Sequence, residues 1–269
     1  MKVILLGCGW LGRQLLPVLQ QDGHQLVVTR QSETALAELP GSVSGQVLSL
    51  PLSLPFPETL MDQFQQAVVI CAITPGWRKQ GGAGYLDSLQ SLARLVQAAD
   101  SLACVHFSST GAYNGLSDEV DEQSQLAASD AKAQLLYQGE QLLQQALPTC
   151  TLRLAGLIGP GRHPGKFLRS GVLDDPDAPV NMVHSHDVIE AVRVILQQQA
   201  WPSLYNLSCP DLVTRQQFYQ QARALLQLPA LTVGAAGSSQ RRVLAHRISR
   251  QLPFHYRYPS ALHAVLECS

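Results

Sequence analysis

Charge is scarce in this chain. Of its 269 residues 14% are Asp, Glu, Lys or Arg, and the formal net charge is -1. No run of Lys and Arg occurs, which argues against a face built for nucleic acid. No apolar stretch is long enough to span a bilayer. The apolar opening Met1–Leu6 is too short for the core of a secretory signal. The cysteines at 8, 71, 104, 150, 209 and 268 include no C-x-x-C pair, so no metal site is expected. Cys71, Cys104 and Cys150 sit in apolar, strand-like runs, where a free thiol acts as a small hydrophobe. Reduced thiols point to the cytoplasm. What is plentiful is apolar surface, at 46% of residues, enough for a sizeable core without staples.

The apolar pattern alternates strands and helices. Strands are expected at Lys2–Leu6, Gln25–Thr29, Gln46–Leu50, Ala67–Ile73, Ala103–Phe107, Cys150–Leu154 and Leu204–Leu207. Helices are expected at Leu11–Gln21, Thr34–Leu39, Tyr85–Ala99, Ala131–Ala146, Val188–Gln198 and Arg215–Leu226. Pro17 should kink or shift the first helix, Gly23 should close it, and Pro40-Gly41 should turn the chain. This alternation predicts an α/β, Rossmann-type, doubly wound parallel sheet. The stretch from Gly156 to Pro179, rich in Gly, Pro, Arg, His and Asp, has no period. Such a stretch is usually functional or a small lobe. Asp187 reads as a helix N-cap. The basic stretch Arg241, Arg242, His246, Arg247, Arg250 reads first as a solvated helix face, with phosphate binding as the other reading.

Gly7-Cys8-Gly9-Trp10-Leu11-Gly12 matches G-x-G-x-x-G directly after a strand and at the start of a helix, the context that gives the pattern meaning. Gly7 allows a tight turn, Gly9 lets a diphosphate approach the backbone, and Gly12 lets helix and strand pack closely. Unpaired N–H groups and the partial positive charge of the helix start then face the anion. At the tip of the second strand stands Arg30, where an NAD-selective site carries Asp or Glu. Its guanidinium suits a phosphate, so NADP(H) is the preferred cofactor and NAD(H) the alternative.

Together with the fingerprint, four further stretches resemble the extended short-chain dehydrogenase/reductase superfamily, in its NAD-dependent epimerase/dehydratase branch. They are Val105–Tyr113, Leu152–Gly161, Val180–Val188 and Tyr258-Pro259. The run Arg153–Phe167 is most similar to the small bacterial YeeZ-type subgroup. The resemblance spans the whole chain. It implies a cofactor domain of residues 1–155, rejoined by 185–209, and a smaller C-terminal substrate lobe of 156–184 and 210–269. Cofactor contacts would come from Gly7, Gly9, Trp10, Leu11, Gly12, Arg30, Ser32, Ala72, Ile73, Ser108, Ala155, Gly156 and Leu157. Substrate contacts would come from Arg162, His163, Lys166 and His184. For His184 a structural hydrogen bond is the competing reading.

That superfamily works with a Ser or Thr and a Tyr-x-x-x-Lys dyad. Ser109, four before Tyr113, stands at the first position, and with Thr110 it could hydrogen-bond a carbonyl or else bind only cofactor or backbone; but no Tyr-x-x-x-Lys occurs anywhere in the chain. If Glu140 is taken as the acidic residue that follows the dyad, Lys132 falls at the tyrosine place and Leu136 at the lysine place. Another register brings Tyr137 near the site. A phenol without a cationic neighbour keeps a pKa of about 10 and is a poor base near neutrality. Two readings remain open. One is an NADP(H)-dependent oxidoreductase or epimerase-like enzyme on a small polar, anionic or sugar-derived substrate, as a monomer or homodimer without nucleic-acid or membrane partners. The other is a non-catalytic sensor of NAD(P).

Overall fold

The computed structural model describes residues 1–39, 43–77, 81–237 and 240–268; the Pro40-Gly41 turn lies outside them. In chain order the elements are β1 Lys2–Leu6, α1 Trp10–Gln21, β2 Gln25–Arg30, α2 Glu33–Ala37, β3 Gly45–Val47, α3 Glu58–Phe64, β4 Val68–Cys71, α4 Tyr85–Ala98 and β5 Ala103–Ser109. A 3-10 turn, Thr110–Tyr113, leads to β6 Glu119–Val120, α5 Ala131–Ala146, β7 Thr149–Leu154 and β8 Gly156–Ile158. After a 3-10 turn at Pro164–Lys166 come β9 Val172–Leu173, β10 Met182–His184, α6 Ser185–Gln198 and β11 Ser203–Leu207. The chain ends with α7 Arg215–Leu225, β12 Thr232–Val233, β13 Arg242–Val243, α8 Arg247–Gln251 and α9 Ala261–Leu266.

Seven strands form one sheet in the order β11-β7-β5-β4-β1-β2-β3, and every pairing in it is parallel. Side chains alternate across each strand, so both faces must be covered. Val3, Leu5, Val68, Ile70, Val105 and Leu152 join α1 and α6 in one core. Ile4, Leu6, Val69, Cys71 and Cys104 join α3, α4 and α5 in the other. This explains why β1 and β4 read as unbroken apolar runs. A third cluster, from Ile158 to Cys268, holds α7 and α9 together. Short parallel pairs, β8 with β10, β9 with β12 and β6 with β13, fix the connecting segments.

Strand order reverses between β1 and β4, the place where open α/β sheets bind ligands. The glycine fingerprint follows β1 there, and Ala72 follows β4. Gly7 has φ +89, and a Cβ on it would lie 3.1 Å from the Ala72 carbonyl oxygen. Both facts require glycine.

Several local expectations need correction. Helix α1 runs through Pro17, whose exposed position lets water serve the unbonded carbonyl. Gly23, at φ +73, follows its end as expected. The third strand is shorter and earlier than the pattern suggested, and α3 and α9 carried no clear signal because their apolar faces are short. Helix α6 starts at Ser185, so its N-cap is His184, whose side chain accepts from the His186 amide. Asp187 is therefore not the cap. It is buried in the first turn and accepts from the backbone amides of Arg257, at 2.8 Å, and Tyr258, at 3.4 Å. The basic stretch 241–250 is not one helix face: it is split between β13 and the five-residue α8. No helix among the described residues is long and apolar enough to cross a membrane.

Candidate functional site

Two cavities flank the carboxyl ends of the strands. The first, of about 430 Å³, is lined by Gly9, Trp10, Arg13, Gln14, Arg30 and Pro160. Helix α1 starts at its floor with Gly9 as N-cap and no side-chain cap, so the first amides of the helix keep their hydrogen-bonding capacity. A Cβ on Gly9 would meet nothing within 4 Å; its missing side chain leaves space rather than relieving a clash. These features fit a dinucleotide diphosphate. Arg30 is engaged with the Cys8 carbonyl and lies 3.3 Å from Glu38, which also pairs with Arg13. Ser32 caps α2 by accepting from the Ala35 amide at 3.2 Å.

Trp10 donates its indole N–H to the Pro160 carbonyl at 2.8 Å. Arg162 stacks between Trp10 and Phe167, 5.6 and 5.5 Å from the ring centres, and donates to the Leu157 carbonyl. The loop after β8 is thereby fastened to the rim of the glycine fingerprint. Arg162 thus stands against Trp10, beside the first cavity. His163 caps the following 3-10 turn, and Lys166 is exposed. His184 packs on Tyr258 with ring centres 4.5 Å apart and has its Nε2 3.3 Å from the Glu267 carbonyl. None of these four residues lines the second cavity.

That second cavity, of about 490 Å³, opens above the ends of β5 and β7. Ser109, Thr110, Gly111, Ala155 and Gly156 contribute to its walls, as do Lys132, Arg215 and Arg241. Arg241 donates to the Tyr113 carbonyl and the Asn114 side chain, each at 3.0 Å. Asn181 holds this segment in place, donating to the Arg241 carbonyl and accepting from the Val243 amide. Arg215 donates to the Asp174 carbonyl and stacks on Tyr219. The tyrosines are elsewhere: Tyr137 is 40% exposed, and the buried Tyr113 donates its hydroxyl to Asn206 at 2.8 Å. Of the α5 residues considered from the sequence, Lys132 lines this cavity and Tyr137 does not. Sequence reasoning missed Arg215, and it set Arg241 within a solvated face.

Beneath the cleft lies a buried ionic network. Arg153 donates to both Glu140 oxygens, at 3.0 and 2.7 Å, and Ser108 donates to Oε1 at 2.5 Å. Arg153 and Glu140 expose 4% and 1% of their side chains. The Arg153 guanidinium also sits 4.9 Å from the centre of the Tyr113 ring. Burial alone would lower the Arg153 pKa, but its bonds and charge pairing with Glu140 raise it. Ser108 therefore belongs to the floor that supports Ser109 and Thr110. Ser109 itself accepts from the Gly111 amide at 3.0 Å.

His106, wholly buried, has no partner for either ring nitrogen among the described residues. Burial drives its pKa down to about 4, so the folded state binds fewer protons than the unfolded chain between pH 6.5 and 4. Stability from this group is lost as the pH falls through that window, by about 3 kcal/mol. Asp187 acts oppositely. Burial lifts it to about 6, so the folded state gains stability as the pH falls from about 6 towards 4, again by about 3 kcal/mol. In urea unfolding across this range, His106→Leu should become more stable on acidification relative to wild type, and Asp187→Asn less stable. Parallel curves for both variants would contradict these shifts.

The fold has close counterparts. UDP-glucuronic acid 4-epimerase from Bacillus cereus, solved in complex with NAD, superposes with a TM-score of 0.78 at 16% identity, covering 100% of this chain and 97% of that one. A short-chain dehydrogenase/reductase superfamily protein from Agrobacterium tumefaciens with bound NAD gives 0.75 at 15% identity, covering 100% and 96%. The fold is thus that of the short-chain dehydrogenase/reductases and of the epimerase/dehydratases among them. Sequence comparison narrows this class. Protein YeeZ of Escherichia coli strain K12 is 31% identical over 273 residues, covering 99% of both chains. The chain belongs to the YeeZ family. No family model matches it. Among the described residues no group of three or more His, Cys, Asp and Glu could hold a metal ion.

Proposed function

We propose that this chain is an NADP(H)-dependent oxidoreductase or epimerase-like enzyme that acts on a small, anionic or sugar-derived substrate in the cytoplasm. The observation that carries this reading is the pairing of two sites. An uncapped helix start suited to a diphosphate lies at the same carboxyl edge of the sheet as a cleft lined by Lys132, Arg215 and Arg241. In that reading residues 156–184 and 210–269 form the substrate lobe, and Arg30 faces the cofactor's 2′-phosphate in place of Glu38. The nicotinamide, when bound, supplies or accepts a hydride. The chain's own groups orient the cofactor at Gly7–Gly12 and hold the substrate against Ser109 and Thr110.

Calorimetric titration with NADPH and NADH tests this. Arg30→Ala should weaken NADPH binding about ten- to hundredfold, the worth of a charge-assisted hydrogen bond, and leave NADH binding nearly unchanged. Equal losses for both would remove Arg30 from the 2′-phosphate. No heat with either nucleotide would remove the cofactor altogether. A sensor that binds the cofactor without turnover is the second reading. It is favoured by one observation: no tyrosine lines the cleft among the described residues.

A further inference from the structure

Lys132 occupies an unusual position for a lysine. It stands in the first turn of α5, two residues after the Asp130 N-cap, where the helix dipole disfavours a cation. Its ammonium makes no ion pair or hydrogen bond within the described residues. Yet it is only half-exposed and lines the cleft beside Ser109 and Thr110. Its aliphatic end rests against the backbone of Gly111. A Cβ there would lie 3.0 Å from Lys132 Cε and 3.2 Å from both Nζ and Leu136 Cδ1, so the missing side chain leaves the lysine its present course along the wall.

The surroundings are cationic as well. Arg241 and Arg215 face the same cavity, and their hydrogen bonds go to neutral acceptors: the Tyr113 carbonyl, the Asn114 side chain and the Asp174 carbonyl. The carboxylates near them are Asp175, on the cleft wall, and Asp130, which caps α5 through Oδ1 and whose charge acts on Arg241. Three cations thus face two carboxylates, neither of which bonds to them among the described residues. A cation in excess of its anions is held at a cost that a bound anion relieves.

We propose that Lys132 is the catalytic residue of this cleft, meeting the reacting carbonyl oxygen of the substrate while Arg215 and Arg241 hold the substrate's own phosphate or carboxylate group. This rests on the proposed cofactor reading for the hydride, though not for the anion. In the reducing direction the carbonyl carbon gains a hydride from the reduced nicotinamide. The carbon–oxygen π bond breaks, and its electron pair moves to oxygen. That oxygen takes a proton from the Lys132 ammonium to become a hydroxyl, and the lysine amine regains a proton from water. A fixed cation at the point where negative charge develops supplies the stabilisation that a tyrosine–lysine pair would otherwise give.

The chain has four lysines, at 2, 79, 132 and 166, which makes the test direct. Pyridoxal 5′-phosphate serves as a chemical probe because it carries both groups the site is built for, an aldehyde and a phosphate. After borohydride trapping and peptide mass analysis of the full chain, Lys132 should be labelled about tenfold faster than Lys2 or Lys166, the worth of one charge-assisted hydrogen bond to the phosphate. Inorganic phosphate should slow that labelling, and acetate should do so less if the site selects phosphate over carboxylate. Arg241→Met should slow labelling of Lys132 and leave that of Lys2 unchanged. Lys132→Met should abolish the preferred adduct without lowering the melting temperature, since it removes a cation from the start of a helix. Indiscriminate labelling, or labelling that neither anion slows, overturns the proposal even if NADPH binds. Selective, anion-protected labelling without any NADPH heat would instead leave the anion-binding lysine standing and overturn the cofactor reading, and with it the hydride step.

Discussion

Arg153→Met is expected to cost the fold about 3–5 kcal/mol, the typical penalty for stripping one partner from a buried ion pair. Glu140 is 1% exposed and receives three hydrogen bonds, two of them from Arg153. Without the guanidinium, its carboxylate would keep only the Ser108 hydroxyl. It would have to remain charged in an apolar setting or take up a proton, and either is costly. The double variant Glu140→Met with Arg153→Met should recover most of the loss, since an apolar pair of similar volume carries no desolvation penalty. Urea unfolding of the three variants measures this. A loss below about 1 kcal/mol for Arg153→Met would mean that water reaches Glu140 freely, against the burial seen. The pair also braces the end of β5. Ser108 is tied to Glu140, and the next two residues, Ser109 and Thr110, form the cleft wall.

Gly9→Val should abolish dinucleotide binding while the protein stays folded. Gly9 has φ -85, outside the left-handed region that favours glycine, and its Cβ would meet nothing within 4 Å. The valine would instead fill the space above the α1 amides and hold a diphosphate away from them. Losing two charge-assisted hydrogen bonds, at about 1.5–3 kcal/mol each, weakens binding by more than about a hundredfold. Gly7→Val should behave differently. At φ +89, with the Ala72 carbonyl 3.1 Å from the new Cβ, it should lower the melting temperature as well. Calorimetry and thermal melting separate the two. NADPH binding by Gly9→Val at the wild-type level would show that the helix start is not the diphosphate seat.

Much of the first site is legible in the sequence because its rules are local. Three glycines within six residues, following a strand and opening a helix, specify a turn whose geometry depends on little beyond themselves. The second site has no such signature. Ser109, Lys132, Arg215 and Arg241 lie more than 130 positions apart from first to last, and each alone resembles an ordinary surface polar residue. His163 and His184, attractive as isolated histidines, are used as caps. Arg162, beside them, turns to Trp10.

Taken alone, the sequence determined the parallel sheet and the glycine turn, through side-chain period and backbone freedom that act over a few residues. It also showed that the expected tyrosine–lysine spacing is missing. Only the tertiary structure decided which groups stand in the cleft instead. The end of β5, the start of α5, the start of α7 and the lead-in to β13 meet through packing between distant segments. No local pattern of polarity records that convergence.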